Sequence, residues 1–228
     1  MIISHRHRFI FLKTRKTAGT SIEIALSQLC GPQDVITPIP PQDEEIRQRL
    51  GYPGPQNCML TWRHYTPKAW LRLLRKGMHP HFYNHMRAYR VRGIVGRSIW
   101  KTYFTFCVER NPYDKALSLY YWRTRHMHPR PSFHAFLHSP AAKKMSNYPI
   151  YSILGSVAVD HVALYENLEH ELESIRARCN LPQPLKLPRA KGTYRGDRGH
   201  YRDSIDDQDR KKIYALCKKE IHAFSYAF

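Results

Sequence analysis

The chain has 228 residues, enough for one α/β domain with a sizeable core. It carries 37 Lys and Arg against 18 Asp and Glu, a formal net charge of +19. No internal repeat, low-complexity tract, signal peptide or bilayer-length apolar run is visible, which argues against repeat arrays and spanning helices.

In chain order, residues 9–13 read as the first strand and 20–29 as the first helix. Residues 31–57 are rich in Pro and Gly, with a short helical piece at 43–50, and read as an insertion over the sheet edge. A short strand is expected over 59–65, then a helix over 67–76 with Pro67 at its start and Gly77 past its end. The aromatic and basic stretch 79–96 suits no single element. A strand at 104–108 leads through the turn Asn111-Pro112 into a helix over 113–123. A loop at 126–131 and a short helix at 132–137 follow. Then come a strand at 162–165, a helix to 179, a loop at 182–202 and a last helix over 206–222. Strands alternating with helices imply a mainly parallel central sheet with helices on both faces, a three-layer α/β sandwich formed by residues 1–228 as a single domain. In such sheets ligands bind at the carboxyl ends of the strands.

Two strand-to-helix turns carry the chemistry. Residues 13–21, KTRKTAGTS, follow the apolar run 9–12 and precede the amphipathic run 22–29. Free N–H groups at such a helix start, with the helix dipole, favour an anion. Lys16, Thr17, Thr20 and Ser21 add a cation and three hydroxyls. The competing reading is a capping box with Thr20 as cap and Glu23 three residues on. The pattern is not Walker A, since Lys16 precedes the one glycine of the turn, Gly19. In the second turn, Arg110 ends the apolar strand and Ser118 lies eight residues on, two turns into the helix. Taken singly, Arg110 also fits a surface ion pair and Ser118 a neutral helix position.

The first turn resembles the 5′-phosphosulfate-binding loop of sulfotransferases that use 3′-phosphoadenosine 5′-phosphosulfate (PAPS). The second resembles their 3′-phosphate motif, an arginine followed by Asn-Pro and a serine. The segment VALYENL (162–168) and the tail from His200 to Phe228 are similar to the bacterial and carbohydrate-type members. The resemblance implies a P-loop-like sulfotransferase fold. It implies PAPS contacts from Arg15, Lys16, Thr17, Ala18, Gly19, Thr20 and Ser21 at the 5′ end, and from Arg110 and Ser118 at the 3′ end. A Lys-Gly loop closing over the nucleotide maps to Lys191 and Gly192, and more loosely to Arg195 and Arg198. Lys16 is the expected catalytic cation, meeting charge on the leaving oxygen. His64, in TWRHYTP, is the expected general base, with His85, His79 and His81 as alternatives among fourteen histidines. Glu23 is read as a capping residue.

The pairs His79/His81 and His126/His128 have no adjoining Cys or acidic ligand, so no metal is expected. Five widely spaced cysteines, with no C-x-x-C, read as free buried thiols of a reducing compartment. With Met1 close to the first strand, they point to a complete, soluble cytoplasmic protein. From Ile46 to Val108 there are twelve Lys or Arg and no acid. Such a surface suits PAPS and an acidic or carbohydrate acceptor, although a merely solvated basic face is the plainer reading. Nucleic acid is not the expected partner. A P-loop kinase or nucleotidase, and a non-catalytic RNA- or heparin-binding module, are the competing functions. A kinase calls for an acidic magnesium ligand closing a strand, which Glu109 could imitate.

Overall fold

The computed structural model describes residues 1–188 and 199–228. In chain order the elements are β1 (Ile2–Ser4), β2 (Phe9–Leu12), α1 (Gly19–Ser27), β3 (Val35–Ile36), α2 (Pro41–Arg49), α3 (Pro67–Lys76), α4 (Ala88–Thr102), β4 (Phe104–Glu109), α5 (Pro112–Arg123), α6 (Phe133–Leu137), α7 (Tyr148–Tyr151), the hairpin β5 (Ser152–Ile153) and β6 (Ser156–Val157), β7 (His161–Leu164), α8 (Leu168–Arg178) and α9 (Asp207–Ala223). The main sheet has the order β3-β1-β2-β4-β7. Strand β1 is antiparallel to both neighbours, whereas β2 pairs parallel with β4, and β4 with β7. Four strands therefore point one way and β1 the other.

Strand side chains alternate between faces, and helices cover both. Phe9 and Phe11 pack with Ile22 and Leu26 of α1 and with Leu172 and Ile175 of α8. Ile10 and Leu12 pack with Val91 of α4 and with Tyr148 and Tyr151 of α7. All four β2 residues are buried, as expected of a strand covered on both sides. A third cluster, including Tyr113, Leu117, Ile213 and Cys217, joins α5 to α9.

Three features differ from the sequence expectation. Strands β1 and β3 were not foreseen; their apolar runs are short and their pairing is non-local. Asp34 organises the β1–β2 turn, accepting from Ser4 Oγ at 2.9 Å and from the His5 amide at 2.6 Å. The strand expected over 59–65 does not form: Met59 makes one isolated bridge with His81, and Trp62–His64 is a 3-10 turn. The unassigned stretch 79–96 runs into α4. As anticipated, the cysteines are free thiols; Cys58 is partly exposed and the other four are buried. Among the described residues no helix is long and apolar enough to cross a membrane.

At the carboxyl end of β4, Glu109 is fully buried and ion-paired with buried Lys115 at 2.7 Å. Removing one partner of such a pair leaves an uncompensated charge in the interior. Lys115→Met should therefore lower unfolding free energy by about 3–5 kcal/mol in urea titrations, and Glu109→Gln/Lys115→Met by less.

Candidate active site

The turn after β2 is tightly specified. Lys16 and Ala18 have φ of 62° and 56°, a left-handed conformation costing non-glycine residues about 1–2 kcal/mol each. Buried hydrogen bonds hold it. Thr14 Oγ1 donates to the Val108 carbonyl of β4 and lies 2.8 Å from Thr17 Oγ1. Asn147, fully buried, accepts from the Arg15 amide at 2.9 Å and donates to the Arg15 carbonyl at 3.0 Å. Helix α1 then starts at Gly19 with Ala18 at its N-cap and no side-chain cap. Gly19 is needed for space, because a Cβ there would sit 2.9 Å from Lys13 Cγ.

The capping-box reading is corrected by this geometry. The helix begins one residue before Thr20, and Glu23 faces the interior. Glu23 pairs with Lys13 at 2.7 Å and with the Met1 amine at 2.8 Å, and accepts from Thr37 at 2.8 Å. Burial works to raise its pKa, but the Met1 amine and Lys13 outweigh it and hold the carboxyl below the ordinary range.

The second turn meets the first. Because β2 and β4 are neighbouring parallel strands, with Leu12 opposite Cys107, their following turns emerge side by side at the carboxyl end of the sheet. Arg110 Nη1 donates to the Lys16 carbonyl at 3.3 Å. Its guanidinium lies 4.3 Å from the Tyr165 ring centroid and is oriented by Asp114, which accepts from Nε at 2.7 Å. Asn111 caps α5 by accepting from the Tyr113 amide. Ser118 is partly exposed on that helix.

Beside the first turn opens a cleft of about 420 Å³. Lys13, Arg15, Lys16, Arg123 and Lys144 line it, with Thr14, Thr20 and Ser21, and no carboxylate is among the described lining residues. Burial, with Arg123 and Arg87 nearby, lowers the Arg15 pKa. The Lys16 ammonium lies 5.5 Å from the Trp122 ring centroid. Five cations gathered around one cleft make it an attractive seat for an anion.

His85 lines the same cleft. Its Nδ1 lies 2.9 Å from the Lys13 carbonyl. A carbonyl can only accept, so Nδ1 carries the proton and Nε2 keeps its lone pair. Burial, with the charges of Arg15 and Lys13, outweighs that hydrogen bond and pushes the His85 pKa down to about 3. The imidazole is thus neutral near pH 7.

The other sequence candidates fall in several places. Ala18, Gly19, Thr20 and Ser21 line the cleft, whereas Thr17 turns its hydroxyl inward to Thr14. His64 sits in the 3-10 turn and is not a lining residue; His79 pairs with the Tyr65 hydroxyl, and His81 is exposed. Lys191, Gly192, Arg195 and Arg198 lie outside the described residues. Glu109 does not offer the open carboxylate that a kinase-type magnesium ligand needs. Its oxygens accept from Lys115, Asn147, Tyr151 and the Arg110 amide. No cluster of three or more potential metal ligands occurs among the described residues. Trp122 and Arg123 were missed, although Leu119, Trp122 and Arg123 share one helix face by their spacing. Lys144 and Asn147 carry no motif.

Residues 1–227 match the family model described as the sulfotransferase family. The chain belongs to the sulfotransferase family. Among curated proteins it is similar to an uncharacterized protein of Archaeoglobus fulgidus, 33% identical over 106 residues, which cover 45% of this chain and 88% of that protein. No solved structure matches significantly. Membership of the sulfotransferase family supports transfer of a sulfuryl group.

In this sulfotransferase the lowered His85 pKa has a definite sign. Protonation favours the unfolded chain, so the stability His85 contributes is present above about pH 6.5 and is lost as pH falls toward about 3. NMR titration should show His85 neutral at pH values where exposed histidines are charged. His85→Gln should make the fall in unfolding free energy between about pH 7 and about pH 4 shallower than in the parent.

Proposed function

We propose that residues 1–228 form one sulfotransferase domain that moves the sulfuryl group of PAPS to an acceptor hydroxyl or amine, on an acidic carbohydrate. The observation that carries this reading is the contact between the Arg110 guanidinium and the Lys16 carbonyl, which joins the two anion-binding turns. Arg110 grips the 3′-phosphate with the planar donors left over by Asp114 and the Lys16 carbonyl, and Ser118 donates a hydroxyl. The backbone from Arg15 to Ser21 holds the 5′ end, and Lys191 and Gly192 close over the nucleotide. Soluble, cytoplasmic action on PAPS without a metal belongs to the same reading.

Lys16 balances negative charge on the leaving phosphate oxygen as the bond from sulfur to that oxygen breaks. The acceptor oxygen forms the new bond to sulfur in line. We assign its proton to His85 Nε2, in place of His64, because His85 lines the cationic cleft and has a tautomer fixed by Lys13. Its pKa of about 3 is set by burial and the nearby cations, and the negative charges of a bound bisphosphate raise it toward the range in which a base is effective. The cations lining the cleft and the net charge of +19 support an acidic acceptor.

Incubation with labelled PAPS and a panel of carbohydrate acceptors, read by mass spectrometry, should show transfer. Lys16→Ala should reduce turnover about 10²–10³-fold. His85→Gln should reduce it about 10²–10⁴-fold, and His64→Gln should leave it near the parent value. Transfer unaffected by His85→Gln would remove His85 from the base role. Thermal stabilisation by ATP with magnesium, and none by adenosine 3′,5′-bisphosphate, would overturn the donor assignment.

A further inference from the structure

Helix α3 stands apart from the chemistry. None of its residues is buried, although its sequence is sharply two-sided. At about 100° per residue, Leu73, Trp70, Leu74 and Leu71 fall on one continuous side, and Arg75, Lys68, Arg72 and Lys76 on the other. The helix is set by local signals. Thr66 caps it by accepting from the Ala69 amide at 3.2 Å, Pro67 opens it, and Gly77 closes it with φ of 62°. Its excursion is fastened at the base by Leu60 N–H to the Pro80 carbonyl at 3.0 Å and Phe82 N–H to the Cys58 carbonyl at 2.8 Å. The apolar side is nevertheless open: Leu74 is 81% exposed, Leu71 49% and Trp70 44%, and Trp62 in the preceding 3-10 turn is 71% exposed. A ten-residue helix does not gain stability from such a side in water.

Charge selects what covers it. Between Glu45 and Glu109 the chain has no acid, and Lys68, Arg72, Arg75 and Lys76 make up the other side of α3, all exposed, with Arg63 exposed in the preceding turn. A second copy would bring like charge against like charge. A glycan polyanion would satisfy the cations and leave the leucines and indoles in water. A short helix with Trp and Leu on one side and Lys and Arg on the other matches a bilayer interface, where the apolar side enters the headgroup boundary and the cations meet lipid phosphates. We infer that α3 docks the protein onto an anionic lipid bilayer. This inference stands apart from the sulfuryl-transfer reading, since none of these residues lines the cleft.

The test is co-sedimentation of the full chain with vesicles of phosphatidylglycerol and phosphatidylcholine, against vesicles of phosphatidylcholine alone. The protein should partition onto the anionic vesicles, with Trp62 and Trp70 quenched by brominated lipid. The charge-neutral pair Leu71→Gln/Leu74→Gln should reduce partition roughly tenfold or more. Arg72→Gln/Arg75→Gln should do so by a comparable factor at low salt. Neither pair is buried, so thermal melting should stay at the parent value and confirm that the variants fold. No partition, partition insensitive to the leucine pair, or loss by that pair of self-association or of heparin binding with no vesicle binding, would overturn the assignment.

Discussion

The parallel pairing of β2 with β4 is the constraint on which the site depends. Leu12 of β2 lies opposite Cys107 of β4 and both strands run the same way, so Lys13 and Arg110 leave the sheet at its carboxyl end. Neither turn is held by its own sequence alone. The left-handed backbone at Lys16 and Ala18 persists because Thr14 is tied to β4 and Asn147 clamps both polar groups of Arg15. Asn147 also donates to Glu109 at 3.2 Å, and its amide donates to Glu220 at 2.8 Å. The same buried network thus braces both turns from beneath, as a preorganised anion site requires.

Charge is partitioned between the layers. Two of the buried carboxylates near the turns are ion-paired, Glu23 with Lys13 and the Met1 amine and Glu109 with Lys115, while Glu220 accepts from Ser146 and from the Asn147 and Tyr148 amides. Among the described residues, the cleft above them is lined by cations and no carboxylate. The paired charges below the turns fix geometry, and the cations at the cleft give it a positive lining. His85 takes its character from this division. Its backbone φ of 63° and its bond to the Lys13 carbonyl place a neutral imidazole among cations.

What was legible in the sequence was local. Helix α3 was readable to the residue from Pro67 and Gly77, and the β4–α5 turn from Asn111-Pro112, because caps and proline act within a few positions. The KTRKTAGTS turn was readable as a strand-to-helix junction. Its capping was not, because Glu23 answers to Met1 and Thr37, which are remote in sequence. The same holds for β1 and β3, whose few apolar residues give no periodic signal, and for Asn147 and Lys144, which reach the site from elements with no motif. His85 was one histidine among fourteen; only the fold brings its ring to Lys13.

The central claim is that the two turns grip opposite ends of one bisphosphorylated nucleotide. Calorimetric titration of the parent and of Arg110→Ala with adenosine 3′,5′-bisphosphate and with adenosine 5′-monophosphate tests it most directly. The parent should prefer the bisphosphate, and Arg110→Ala should bind the two nucleotides alike. A parent that binds both equally, or an Arg110→Ala protein that keeps the preference, would contradict it.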